Sequence, residues 1–261
     1  MTVNAMAGWS CGLQNSWRSE PDWRFKVAAD DASTQLRVEG IAVLRGVFSK
    51  GVLTRLKESA DRCFQAVRTE RSLPDRYQFS RSANSLLLSA LLDFGCDAAE
   101  DLTAPLSANV LERLFLETMG PHWTCDLGQS WVRQKFAQPP APASGYHLQD
   151  WHQDGALGAR FPVEPGPLIA MTELLTCWIP LNDCGIESPG LEFIRSPQSR
   201  LLHFTELGDS ALRERFPPQA FWVPVLEFGD AVVFLNNILH RTFVRPGMRH
   251  DRLSVEYRIF P

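Results

Sequence analysis

In Asp251-Arg252-Leu253-Ser254-Val255-Glu256-Tyr257-Arg258, polar and apolar side chains alternate without a break from Arg252 onward. Successive side chains of a β-strand point to opposite faces. The stretch therefore reads as a strand with Leu253, Val255 and Tyr257 on one side. Arg252, Ser254, Glu256 and Arg258 lie on the other. Working back toward Gly120, similar short runs alternate with Pro, Gly, Asn and Asp. They are Gln129–Phe136, His147–His152, Leu175–Leu181, Gly190–Ile194, Phe221–Leu226 and Ala231–Leu235, with the last strand spanning Leu253–Phe260. Seven or eight short strands joined by turn residues predict a sandwich or barrel.

The first half has a different texture. Val38 to Phe48 reads as a short strand, and Ser49 can cap a helix running to about Arg68. The apolar positions Val52, Leu53, Leu56, Ala60, Cys63, Phe64 and Val67 of that helix repeat at helical spacing. A second helix is expected over Ala108–Met119, with Ser107 as its cap and Gly120-Pro121 as its stop. The first 35 residues show no clear periodicity. Pro139–Gly145 reads as a loop, and Ser199–Pro218 as a loop with a short helix. Helices first and strands after predict an α+β, mainly β arrangement, with the helices packed outside one sheet. With no boundary signal, residues 1–261 are expected to form one domain.

Bulk properties remove several function classes. The net charge is −4 with scattered charges, so no basic field exists for nucleic acid or an anionic membrane. The most apolar windows, Ser85–Leu92 and Leu168–Leu181, are too short to span a bilayer. The N-terminus lacks the pattern of an export signal. Cys11, Cys63, Cys96, Cys125, Cys177 and Cys184 form no C-x-x-C pair, and reduced thiols in a cytoplasmic protein are expected. A small molecule is the expected partner; oligomeric state is not readable.

The chemistry sits in Trp151-His152-Gln153-Asp154-Gly155. In a strand, His152 and Asp154 would aim a nitrogen and an oxygen into one space, and Gly155 permits a sharp exit. His240 follows the apolar run Ala231–Leu235 and offers a third ligand. Two imidazoles and one carboxylate on one face of a metal leave positions open, which suits iron(II). Arg252 and Ser254, two residues apart on one face, can grip a carboxylate together. Arg258 competes with Arg252 for that task. A metal-binding barrel without a cosubstrate and a zinc-type hydrolase share the three ligands, although the hydrolase leaves Arg252 and Ser254 without a task.

These residues carry a resemblance. The order Gly40-Ile-Ala-Val-Leu-Arg-Gly-Val-Phe-Ser, Trp151-His-Gln-Asp-Gly, Cys177-Trp-Ile-Pro-Leu-Asn-Asp-Cys, Pro189-Gly-Leu-Glu-Phe-Ile and Gly229-Asp-Ala-Val-Val-Phe-Leu, then His240 and Arg252, resembles the phytanoyl-CoA dioxygenase family. The resemblance implies a double-stranded β-helix of jelly-roll or cupin type with flanking N-terminal helices. It implies a dioxygenase using Fe(2+), 2-oxoglutarate and O2, with His152, Asp154 and His240 on iron. Arg252 would hold the distal carboxylate of 2-oxoglutarate, assisted by Ser254 and Thr242. Trp178 and Gln134 match positions that approach the cosubstrate. Asp154 favours hydroxylation over halogenation, because related halogenases lack the metal carboxylate. Arg160 and Arg81, near the expected mouth of the site, would suit a carboxylate-bearing or amino-acid-derived substrate.

Overall fold

The computed structural model describes residues 29–69, 84–93, 102–138, 148–161 and 170–261. Arg81 and the Pro139–Gly145 segment lie outside the described residues. Among the described residues, ten strands form two antiparallel sheets. They are β1 (Ile41–Leu44), β2 (Ser85–Leu87), β3 (Thr124–Cys125), β4 (Trp131–Lys135), β5 (Leu175–Pro180), β6 (Gly190–Ile194), β7 (Phe221–Trp222), β8 (Ala231–Leu235), β9 (His240–Phe243) and β10 (Arg252–Phe260). The larger sheet has the order β1-β8-β5-β10-β4-β2, with β3 added to the end of β10; the smaller is β7-β6-β9. Neighbours in these orders are far apart in sequence, the crossing pattern of a double-stranded β-helix. The larger sheet is open.

Alternation along β10 builds one core. Leu253, Val255, Tyr257 and Ile259 are 0–5% exposed. They join Val132, Leu175, Cys177, Ile179, Ala231 and Val233 beneath the helices α1 (Ala29–Glu39), α2 (Lys50–Thr69), α3 (Leu88–Asp93) and α4 (Asn109–Met119). Helix α2 buries Leu53, Leu56, Ala60, Cys63 and Phe64, at the spacing that makes one stripe face the sheet. Between the sheets, Ile41, Trp178, Leu191, Phe193, Val232 and Phe234 form a second cluster. A third, with Trp151, Ile194, Leu202, Leu212 and Leu239, packs the outside of the smaller sheet near helix α5 (Asp209–Arg215).

Several elements differ from expectation. Residues 29–39 form a helix rather than an irregular surface stretch, and the strand expected from Val38 starts at Ile41. Helix α4 has Ala108 rather than Ser107 at its cap, because Ser107 closes a preceding 3-10 turn. It does stop at Gly120, whose φ of 91° lies in the left-handed region and whose N–H bonds the Leu116 carbonyl. His147–His152 is not a regular strand: among its described residues only His152 pairs, in a single bridge to His240. The four described cysteines, Cys63, Cys125, Cys177 and Cys184, are free thiols. No helix among the described residues is long and apolar enough to cross a membrane.

Candidate metal centre and cosubstrate pocket

The inner face of the larger sheet is built by register. Opposite residues of an antiparallel pair share a face. Arg252 opposes Lys135 and Ser254 opposes Arg133. On the other side of β10, Glu256 opposes Trp178 and Arg258 opposes Thr176. The space between the sheets is thus apolar near β1 and β8 and charged near β10 and β4. Arg133, Lys135, Arg252, Glu256 and Arg258 are each at most 9% exposed. Charges are retained at such depth only when paired or put to use.

His152, Asp154 and His240 meet at the boundary of these regions. One ligand atom from each lies within 4.8 Å of the others. Two reciprocal backbone hydrogen bonds of 3.0 Å join His152 to His240, and the two rings stand 4.1 Å apart. Asp154 opens a 3-10 turn, Asp154–Ala156, instead of continuing a strand. Gly155 explains the tightness of that turn: a Cβ there would lie 3.0 Å from the Asn236 carbonyl oxygen and 3.2 Å from the Met171 Cβ.

The imidazoles are set for a metal. His152 Nδ1–H donates to the Asp150 carbonyl at 2.6 Å, and His240 Nδ1–H donates to the Ile238 carbonyl at 3.1 Å. Each ring therefore presents a bare Nε2, the form that binds metals. Each Nε2 is 3.8 Å from an Asp154 oxygen. Burial, with His240 alongside, lowers the His152 pKa to about 3, which keeps that ring neutral. Burial pushes the Asp154 carboxyl up, but its pKa still lies below the ordinary value, with the Arg258 guanidinium the chief cause, and the acid stays ionised.

The residues expected around 2-oxoglutarate divide. Trp178, Thr242 and Ser254 are buried in the inter-sheet space. The Trp178 indole N–H and the Thr242 and Ser254 hydroxyls make no hydrogen bond among the described residues. Buried polar atoms left so are rare and require a reason. A bound diacid fits them: Thr242 is two residues beyond His240 on the same face, and Arg252 lies over the Trp178 ring at 5.2 Å. Arg252 is 1% exposed and also donates to the Gly190 carbonyl at 2.8 Å.

Gln134 requires a correction. It opposes Leu253, so alternation turns it away from the pocket, and Arg68 of α2 donates to its side-chain oxygen. Lys135 and Arg133, one residue to either side, face inward instead. Arg160 is exposed on the segment that leaves the metal turn.

Further residues join the site. Arg258, the competitor of Arg252 as cosubstrate anchor, has its guanidinium engaged with Asp154 Oδ1 at 2.8 Å and Thr176 Oγ1 at 2.8 Å. Thr176 in turn donates to Asp154 Oδ2 at 2.6 Å. The Gln149 amide donates to His152 Nε2 at 2.8 Å, using the lone pair a metal would need. Thr176 shares the face of Trp178 by simple alternation, a signal available in the sequence. Gln149 carries no such signal.

A family model described as phytanoyl-CoA dioxygenase matches residues 36–245. The chain belongs to the phytanoyl-CoA dioxygenase family. Iron and 2-oxoglutarate dependence goes with that membership, and the His152, Asp154, His240 cluster is the metal centre it calls for. A search of curated proteins gave no match. Similar solved structures include the non-haem α-ketoglutarate-dependent epimerase SnoN from nogalamycin biosynthesis. It is 14% identical with a TM-score of 0.60, over 89% of this chain and 82% of that one. AviO1 from Streptomyces viridochromogenes Tue57 is 17% identical, with a TM-score of 0.60 over 89% and 95% of the two chains. EvdO2 from Micromonospora carbonacea var. aurantiaca, complexed with 2-oxoglutarate, is 17% identical, with a TM-score of 0.57 over 88% and 90%. Identities this low are a likeness of fold.

Proposed function

We propose that this phytanoyl-CoA dioxygenase family member hydroxylates an unactivated C–H bond of a small molecule. His152, Asp154 and His240 hold iron(II), Arg252 holds the distal carboxylate of 2-oxoglutarate, and Ser254 and Thr242 add hydrogen bonds to it. The observation that supports this reading is the trio of buried donors at Trp178, Thr242 and Ser254, which have no hydrogen-bond partner among the described residues, together with the buried Arg252 over the Trp178 ring. A dianionic cosubstrate is the chemistry those groups suit.

Iron with 2-oxoglutarate and O2 supplies the oxidising equivalents, and the balanced outcome is R–H + 2-oxoglutarate + O2 → R–OH + succinate + CO2. The protein's part is arrangement. Backbone carbonyls of Asp150 and Ile238 fix the imidazole tautomers. Arg252 and its neighbours fix the cosubstrate at the end remote from the metal. Phe193 and Phe234, 5.9 and 4.6 Å from the His240 ring, wall one side of the metal centre with apolar surface. Arg160, exposed beyond the metal turn, suits a substrate that bears a carboxylate.

The test is turnover. Protein, iron(II), 2-oxoglutarate and oxygen are incubated with a panel of amino-acid-derived and polycyclic acids, and succinate release is measured. Product mass then separates reaction types. A gain of one oxygen supports hydroxylation. A loss of two hydrogens or an unchanged mass points to ring closure or epimerisation, the reactions named for the carbocyclase SnoK and the epimerase SnoN.

A further inference from the structure

The metal carboxylate is gripped from behind to a degree the three ligands alone do not require. Asp154 Oδ1 accepts from Arg258 Nη2 at 2.8 Å, and Oδ2 accepts from the Thr176 hydroxyl at 2.6 Å. That hydroxyl accepts from Arg258 Nη1 at 2.8 Å, which closes a ring of three hydrogen bonds around the carboxylate. Both oxygens are thereby tied, and a metal can use only their remaining lone pairs. Arg258 is itself braced. It contacts Glu256, and Glu256 accepts from Arg133 Nε at 3.1 Å and Nη2 at 3.2 Å. Arg133 further donates to Ser85 Oγ at 3.2 Å.

The chain of charges Arg133, Glu256, Arg258, Asp154 is neutral in sum and almost wholly buried, with side chains 10%, 6%, 6% and 3% exposed. Removing one member of such a set leaves a buried charge uncompensated, which costs several kcal/mol. A simpler metal site needs none of it. A hydrogen-bonded guanidinium draws electron density from a carboxylate, and groups that bond metal ligands tune the metal behind them.

The geometry points to Arg258 and Thr176 as positioning residues that hold both oxygens of the metal carboxylate and weaken it as an electron donor to iron. Glu256 and Arg133 keep Arg258 aimed. The inference rests on Asp154 being a ligand of the iron that binds 2-oxoglutarate. It predicts a spectroscopic effect distinct from activity. Iron(II) chelated by a 2-keto acid absorbs visible light by transfer of an electron from metal to ligand. A stronger carboxylate donor makes iron more electron-rich and moves that absorption to longer wavelength.

The experiment compares anaerobic iron(II)–2-oxoglutarate spectra of the wild type, Arg258→Met, Arg258→Lys and Thr176→Val, each checked for folding by circular dichroism. Arg258→Met is expected to move the band to longer wavelength. Thr176→Val, nearly isosteric, is expected to move it the same way by less, and Arg258→Lys, which keeps the charge, to leave it near the wild-type position. An unmoved band in folded, iron-loaded Arg258→Met and Thr176→Val overturns the inference. Equal shifts in the Met and Lys variants overturn the charge effect. Should Arg258→Met fail to fold, Thr176→Val decides. A wild type with no band overturns the underlying iron–2-oxoglutarate reading instead, so the two failures are distinguishable.

Discussion

The two faces of β10 are equally buried and do opposite things. Leu253, Val255, Tyr257 and Ile259 on one side are 0–5% exposed; Arg252, Ser254, Glu256 and Arg258 on the other are 0–5% exposed as well. The helix-facing side is apolar, and its one polar group is satisfied, since the Tyr257 hydroxyl donates to the Leu102 carbonyl at 2.6 Å. The inner side carries three charges and a hydroxyl with no hydrogen bond among the described residues. Burial alone does not distinguish core from site. What distinguishes them is whether buried polar atoms are satisfied within the protein.

This contrast can be broken from either side. The largest effect is expected inside: His240→Ala removes a ligand 3% exposed at the centre of the triad and should abolish specific iron(II) or Mn(II) binding, measured by titration. Its fold should survive, because the apolar side of β10 is untouched. On the outer side, Ile259→Ala should destabilise the fold by about 2–5 kcal/mol through cavity formation, read by chemical denaturation, with metal affinity unchanged. A variant that disturbs both properties equally would erase the distinction between the faces. Tyr257→Phe leaves the Leu102 carbonyl without its donor and should cost about 1–3 kcal/mol, again with no effect on the metal.

A pH dependence probes the inner face separately. Burial, then Arg252 and Arg133, lowers the Lys135 pKa from 10.5 to about 7. Between those values the unfolded chain holds the proton that the folded one has released. Stability therefore rises with pH across that window, and the penalty is complete below pH 7. Lys135→Met should remove that contribution, which denaturation curves at pH 7 and pH 9 would reveal. Equal slopes for both proteins would show that burial and its cationic neighbours do not lower the Lys135 pKa.

Much of this was legible in the sequence. Period-2 alternation disclosed β10 and both its faces, and the apolar run Ala231–Leu235 disclosed β8. The H-x-D pair and the later histidine brought the metal centre together in one reading. Failures have physical causes. Helix α1 lacks a periodic apolar stripe: among its described side chains Ala32, Ser33 and Leu36 are the buried ones, and Val38 is 71% exposed. Residues 148–151 looked like part of a strand, yet most of that stretch has no ladder partner, and Asp154 turns the chain away after one bridge. Gln134 was assigned by resemblance, and its face is decided by the cross-strand partner Leu253. The bond from Arg258 to Asp154 joins residues 104 positions apart, a separation that local pattern does not encode.

The central claim is that the inner face holds iron through His152, Asp154 and His240, and 2-oxoglutarate through Arg252. It is tested most directly by adding 2-oxoglutarate to the anaerobic, iron(II)-loaded protein and recording the visible absorption of the chelate. The account predicts a band in the wild type, none in His152→Ala, and in Arg252→Ala a band that needs at least about tenfold more 2-oxoglutarate to reach half-saturation, as expected when a buried carboxylate loses a charged partner. A folded, iron-loaded wild type without the band, or an Arg252→Ala variant that saturates at the wild-type concentration, would contradict it.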